Sequence, residues 1–188
     1  HNLPRAYQTR AKTKSTPCRP CCRRKLQRGN GLNFNLRSKR QLADLKNRGL
    51  DVVLVTSGAI GVGLPMLGFH KKPDFLPYKQ AAAAVGQGAL MNIYEHLFHE
   101  YGQTVGQLLF TKGDAVNSKR YLYMRGTIQA LLELGAIPIV NENDAVSADE
   151  IKIGDNDTLS AIVASVAEAD LLIILSDIQG LYTKDPKS

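Results

Sequence analysis

Acid is nearly missing from the start of this chain. Residues 1–50 carry 14 Lys and Arg against one acid, Asp44, while residues 51–188 carry 10 against 16 acids. The net charge of +7 therefore belongs to the N-terminal quarter and not to the chain as a whole. Cysteine is absent after Cys22. Cys18-x-x-Cys21 has the spacing of half a zinc site, but no second Cys or His pair follows at a suitable distance, so no metal site is expected. No secretory apolar segment is present and no apolar run approaches transmembrane length. A soluble protein of a reducing cytoplasm is the expectation. Two nucleotide signatures are lacking too. There is no Gly-x-x-x-x-Gly-Lys-Ser/Thr loop, and no Gly-x-Gly-x-x-Gly follows the first apolar run, which argues against P-loop and dinucleotide chemistry. No internal repeat is found.

Residues 1–35 do not read as a fold. They have no sustained apolar period, contain Pro4, Pro17 and Pro20, and hold eight basic residues between Arg10 and Arg28. Such a composition cannot bury enough apolar surface to order itself, so the segment is expected to be disordered. Its Arg-rich, acid-poor character suits a transit peptide, a nucleic-acid tail, or a stretch that is not native coding sequence.

From residue 36 onward the pattern changes to alternating short apolar runs and longer helical stretches. Helices are expected over Ser38–Asn47, Leu76–Glu100, Asn117–Leu134 and Thr158–Glu168. Strands are expected over Val52–Val55, Thr104–Phe110, Ala136–Val140 and Leu171–Leu175. This order predicts an α/β three-layer sandwich, with a mainly parallel sheet between helices. The loops that follow the four strands are Thr56-Ser57-Gly58, Thr111-Lys112-Gly113-Asp114, Asn141-Glu142-Asn143-Asp144 and Ser176-Asp177. All are small and polar, and a parallel sheet places them on one edge, where ligands of such sheets bind. Ser57 and Gly58 lead into a Gly-rich segment, Gly58 to Gly63, which lets backbone N–H groups approach an anion. The stretch Asn141 to Asp157 holds six acids and three asparagines around Gly154. So many carboxylates and amides at a strand-to-helix connection call for a positively charged partner: a substrate ammonium, a metal ion or a lysine. Asp155 or Asp157 could equally cap the following helix.

Five segments carry a resemblance. They are Val52-Val53-Leu54-Val55-Thr56-Ser57-Gly58-Ala59-Ile60, Lys79-Gln80-Ala81-Ala82-Ala83-Ala84-Val85-Gly86-Gln87, Pro138-Ile139-Val140-Asn141-Glu142-Asn143-Asp144, Gly154-Asp155-Asn156-Asp157 and Leu175-Ser176-Asp177-Ile178-Gln179-Gly180-Leu181-Tyr182. From about Leu36 to Ser188 they resemble the glutamate 5-kinase branch of the amino-acid kinase superfamily, in its bacterial form. The resemblance implies ATP- and Mg²⁺-dependent phosphorylation of the γ-carboxylate of L-glutamate, the first step of proline biosynthesis. It implies a homo-oligomer when complete, with no membrane or nucleic-acid partner. It also implies roles for individual residues. Ser57, Asn141, Asp144 and Asn156 would bind glutamate, Ser176 and Asp177 would lie at the nucleotide, and Asp157 would orient catalytic groups at the transferring phosphoryl.

The chain departs from that family at two places. Its first 35 residues hold no strand ending in a Lys-x-Gly-Ser-type loop, since Lys12, Lys14 and Lys25 have no apolar strand before them. It also stops at Ser188, before a Gly-Gly-Met-x-Thr-Lys segment. Both lysines expected at the phosphates are therefore missing, and the abrupt change near Leu36 reads as a frameshifted or misassembled start, with a divergent N-terminus as the alternative. Two alternatives are another superfamily kinase, acting on acetylglutamate, aspartate or uridylate, and a non-enzymatic protein whose basic tail binds nucleic acid. The tail has no aromatic interleaving beyond Tyr7 and Phe34 to favour the second.

Overall fold

The computed structural model describes residues 40–146 and 156–175. A helix over 40–47, here α1, opens the described part. It is followed by β1 (Leu54–Val55), α2 (Ala59–Met66), α3 (Leu76–His99), β2 (Val105–Phe110), α4 (Lys112–Val116), α5 (Ser118–Glu133), β3 (Ile137–Glu142) and α6 (Asn156–Val166). The three strands form one parallel sheet in the order β1-β3-β2.

β3 explains the layering. It lies between the other two strands, and its first five residues are buried. Successive strand side chains point to opposite faces, and β3 divides accordingly. Ile137 and Ile139 join Ala43 of α1 and Leu90, Tyr94 and Phe98 of α3 in one core cluster. Val140 joins Ile128 and Leu132 of α5, Leu159, Val163 and Val166 of α6, and Phe110 of β2 in the other. Helices thus cover both faces, as a parallel sheet requires. The three-layer α/β arrangement read from the sequence is the arrangement observed.

The helix signals held well. α3 begins at Leu76 with Pro77 in its first turn, where the missing N–H costs nothing. α5 is capped by Asn117, whose Oδ1 accepts from the N–H groups of Lys119 and Arg120 at 3.1 and 3.0 Å.

Some expectations differ from the structure. Leu171–Leu175 does not form a strand. Its five side chains are each more than 40% exposed, and no described strand pairs with it. Apolar β-prone sequence reports what a segment would bury if paired, but a strand needs a ladder partner, and among the described strands β1 and β2 pair with β3 alone. The first strand is shorter than Val52–Val55, pairing only at Leu54 and Val55. The Gly-rich segment from Gly58 to Gly63 is mostly helical. Gly58 turns at φ 98° and α2 starts at Ala59. The short helix α4 likewise occupies what the sequence presented as a polar loop.

Candidate active site

Parallel pairing carries the C-terminal ends of β1, β2 and β3 to one edge of the sheet. Three of the four polar loops therefore meet there as expected. The fourth, with Ser176 and Asp177, lies outside the described residues.

At the end of β1 the Thr56 N–H donates to Val140 O at 2.8 Å, continuing the ladder by one residue. Thr56 is buried, and its hydroxyl lies 2.5 Å from the Tyr94 hydroxyl on α3. Burial raises the Tyr94 pKa, and the Thr56 hydrogen bond offsets part of that rise. Ser57 comes next and is exposed. The first backbone bond inside α2 runs from Val62 N–H to Gly58 O. The earlier N–H groups, from Ala59 to Gly61, have no intrahelical acceptor, which is the arrangement that receives an anionic group.

At the end of β3 the structure gives Asn141 and Asp144 different surroundings. Asn141 is 2% exposed. Its Oδ1 accepts from the Glu142 N–H at 2.8 Å, and its Nδ2 donates to Gln87 Oε1 at 2.9 Å. Gln87, also buried, donates from Nε2 to Gln107 Oε1 at 3.1 Å. Asp144 is half-buried in the turn after β3. It lines a cleft of about 340 Å³ together with Gln87, Gly88, Gln107, Leu109, Glu142 and Asn143. That volume is at the small end of ligand sites and suits an amino acid. Ser57 is not among the lining residues, although Ala59, two residues on, is.

Asn156 and Asp157 are the first two residues of α6, half-buried and exposed respectively. At the end of β2, Asp114 accepts from the Thr111 N–H at 2.8 Å and the Thr111 hydroxyl at 2.6 Å, and pairs with Arg120 at 2.8 Å. Burial pushes its pKa up, but the Thr111 and Arg120 contacts outweigh this and hold the carboxyl below its ordinary value. Among the described residues no group of three or more His, Cys, Asp or Glu side chains could hold a metal ion. Gln87 and Gln107 were not singled out from sequence. The available signal was an amide inside a run of alanines (Ala81 to Ala84, then Gln87) and another inside the strand Val-Gly-Gln-Leu-Leu-Phe.

A parallel α/β sheet with a polar edge and a small cleft beside it defines a ligand-binding domain of the kind described by the amino acid kinase family, whose model matches residues 36–188. The chain belongs to that family. It is similar to several curated proteins named glutamate 5-kinase. The one from Caldanaerobacter subterraneus subsp. tengcongensis is 57% identical over 158 residues, covering 83% of this chain and 42% of that protein. The Clostridium tetani protein is 58% identical over 148 residues, 79% of this chain and 55% of its own length. The Clostridium acetobutylicum protein is 60% identical over 147 residues, 78% of this chain and 55% of its own. The chain thus spans about half the length of the curated relatives it matches.

Proposed function

We propose that this chain carries the amino-acid-binding part of a glutamate 5-kinase. In this reading ATP phosphorylates the γ-carboxylate of L-glutamate, the first step of proline biosynthesis. The observation that carries the proposal is the cleft at the C-terminal end of β3, with Asp144 on its wall, in a chain 57–60% identical to proteins named glutamate 5-kinase.

Each residue has a physically sensible part in it. Asp144 offers a carboxylate to the substrate ammonium. Ser57 and Asn156 offer donors to its carboxylates. Asn141, with its side chain engaged by Gln87 and Glu142, holds the end of β3 in place. Asp157 orients the groups at the transferring phosphoryl, and Ser176 and Asp177 serve the nucleotide. Phosphoryl transfer depends on positioning and charge neutralisation more than on covalent chemistry. Mg²⁺ would supply part of that neutralisation. In this reading the nucleotide phosphates would be among the ligands of the ion. No helix among the described residues is long and apolar enough to cross a membrane. The reading takes the enzyme to be a cytoplasmic homo-oligomer.

The test is acceptor-dependent ADP release by a full-length enzyme in which the two phosphate-facing lysines are restored, with hydroxylamine present to trap an acyl phosphate as its hydroxamate. L-Glutamate is compared with N-acetyl-L-glutamate, L-aspartate and uridine monophosphate, and binding of each to the chain is measured by calorimetry. Preference for glutamate supports the proposal. Preference for any of the others moves the chain to a different member of the family.

A further inference from the structure

We infer that Gln107 is a substrate-contacting residue that donates from Nε2 to the α-carboxylate of the amino-acid acceptor, with Gln87 and Asn141 as the positioning residues that force it to present a donor. The identity of the acceptor rests on the glutamate reading above; the polarity of the relay does not.

The argument starts from a group whose direction is not in doubt. The backbone N–H of Glu142 can only donate, and it reaches Asn141 Oδ1 at 2.8 Å. Asn141 must therefore direct its Nδ2 at Gln87, where Oε1 accepts at 2.9 Å. Gln87 is left with Nε2 on its far side, and this donates to Gln107 Oε1 at 3.1 Å. The Gln87 bond turns Gln107 Oε1 toward α3, so the Nε2 of the same amide is the atom turned away from Gln87 and free to donate. Its side chain is exposed and lines the cleft. No acceptor for its Nε2 is found among the described residues. Each bond in such a chain polarises the next, which makes the terminal N–H a better donor than that of an isolated amide. Asn141 and Gln87 are buried at 2% and 7% exposure. A buried, fully oriented chain of this kind cannot flip one member without leaving an orphan donor or acceptor inside the protein.

What the donor meets follows from the rest of the cleft. Asp144 is a cleft residue too and suits an ammonium. In an amino acid the ammonium and the α-carboxylate share one carbon. A cleft with a carboxylate on one wall and an oriented amide N–H on another matches that zwitterionic head, and leaves the side-chain carboxylate to point elsewhere. The register supports this placement. Val105 packs in the cluster below α3, and Gln107 and Leu109 follow on the same face of β2. The face thus changes from hydrocarbon to amide as it reaches the cleft.

Calorimetry on the purified chain tests the proposal with L-glutamate, its α-amide isoglutamine and its γ-amide L-glutamine. Gln107→Glu keeps the shape and replaces the donor with acceptors. It should weaken glutamate binding by about tenfold or more and narrow the gap between glutamate and isoglutamine, leaving the gap to glutamine unchanged. Gln87→Glu offers a second acceptor toward Gln107, turning its Oε1 into the cleft, and should narrow the same gap through the orientation of Gln107. If Gln87→Glu fails to fold by circular dichroism, Gln107→Glu decides alone. Glutamate affinity within twofold of wild type in Gln107→Glu overturns the assignment, and so does a narrowing confined to glutamine. A wild-type chain that ignores glutamate but binds aspartate through Gln107 would overturn the glutamate reading and still support the relay.

Discussion

Gly63 and Gly86 meet backbone to backbone where α2 crosses α3. A Cβ on Gly86 would lie 1.8 Å from Ala59 O and 2.6 Å from Gly63 N, and a Cβ on Gly63 would lie 1.9 Å from Ala82 O. Neither clash can be relieved by a rotamer, because every blocking atom is backbone. The crossing includes Ala59, the first residue of α2, so it bears on where that helix starts.

Gly86→Ala should therefore force the helices apart. A loss of at least about 1–3 kcal/mol is expected, the range for an overpacked core, read from urea unfolding. Gly88→Ala is the control, since a Cβ there meets nothing within 4 Å. Helix propensity alone predicts a gain of up to about 1 kcal/mol for that variant. Equal losses from both would remove the crossing as the cause.

The Thr56–Tyr94 contact has a pH signature. Burial lifts the Tyr94 pKa above its ordinary value near 10, so the folded chain holds the phenol proton more tightly than the unfolded chain. The stability this brings is complete below about pH 10 and declines as pH rises through the folded pKa. Tyr94→Phe should lose about 1 kcal/mol at neutral pH through the missing hydrogen bond. It should then show a flatter fall in melting temperature above pH 10 than wild type. Parallel curves would mean that Tyr94 ionises as it does in the unfolded chain.

Asp114 has the opposite sign. Its carboxyl is held below the ordinary 3.8, so its contribution is present above about pH 4 and is lost as pH falls through the folded value. Asp114→Asn should reduce stability at neutral pH and flatten the acid limb of the melting curve. An unchanged acid limb would show that Thr111 and Arg120 do not favour the carboxylate.

Asp144 and Asp157 should separate kinetically in an enzyme that turns over. Asp144→Ala is expected to raise the glutamate KM by about ten- to a hundredfold, the cost of a charge-assisted hydrogen bond, with little change in the ATP KM. Asp157→Asn is expected to lower kcat with little change in glutamate affinity, because its role is at the transferring group. Equal rises in both KM values would take Asp144 off the substrate ammonium. An unchanged kcat would leave Asp157 as a residue of the first turn of α6 and nothing more.

The layering was legible because it is written in local periodicity. The run Ile137 to Val140 is apolar on both faces, and the stripe Leu159, Val163 and Val166 repeats at helical spacing, so each segment states what it must bury. The polar strand ends were legible for the same reason, which is why Asp144 and Asn141 could be placed at the edge from sequence. The crossing of α2 and α3 was not legible. A glycine in a helix reads as a weakness until the backbone pressed against it is known. Gln87 and Gln107 were hidden because their meaning lies in a hydrogen-bond direction that passes between α3, β2 and β3, and no single segment contains it. The run Leu171–Leu175 failed as a strand because pairing depends on a neighbour that the run itself does not encode.

The unequal ladders around β3 set an order of assembly. β3 pairs with β2 over six rungs and with β1 over two. The six-rung partner is joined to it through α4 and α5 alone, whereas β1 is separated from it by most of the described chain. Closing the shorter connection costs less chain entropy and gains more backbone bonds, so β2, α5 and β3 should form first, with β1 and its Ser57 turn docking afterwards. In pulsed hydrogen exchange the amides shared by β2 and β3 would then gain protection early, and the Thr56 N–H would gain it late. The wall of the cleft contributed by Gln107 would thus form before the turn that carries Ser57.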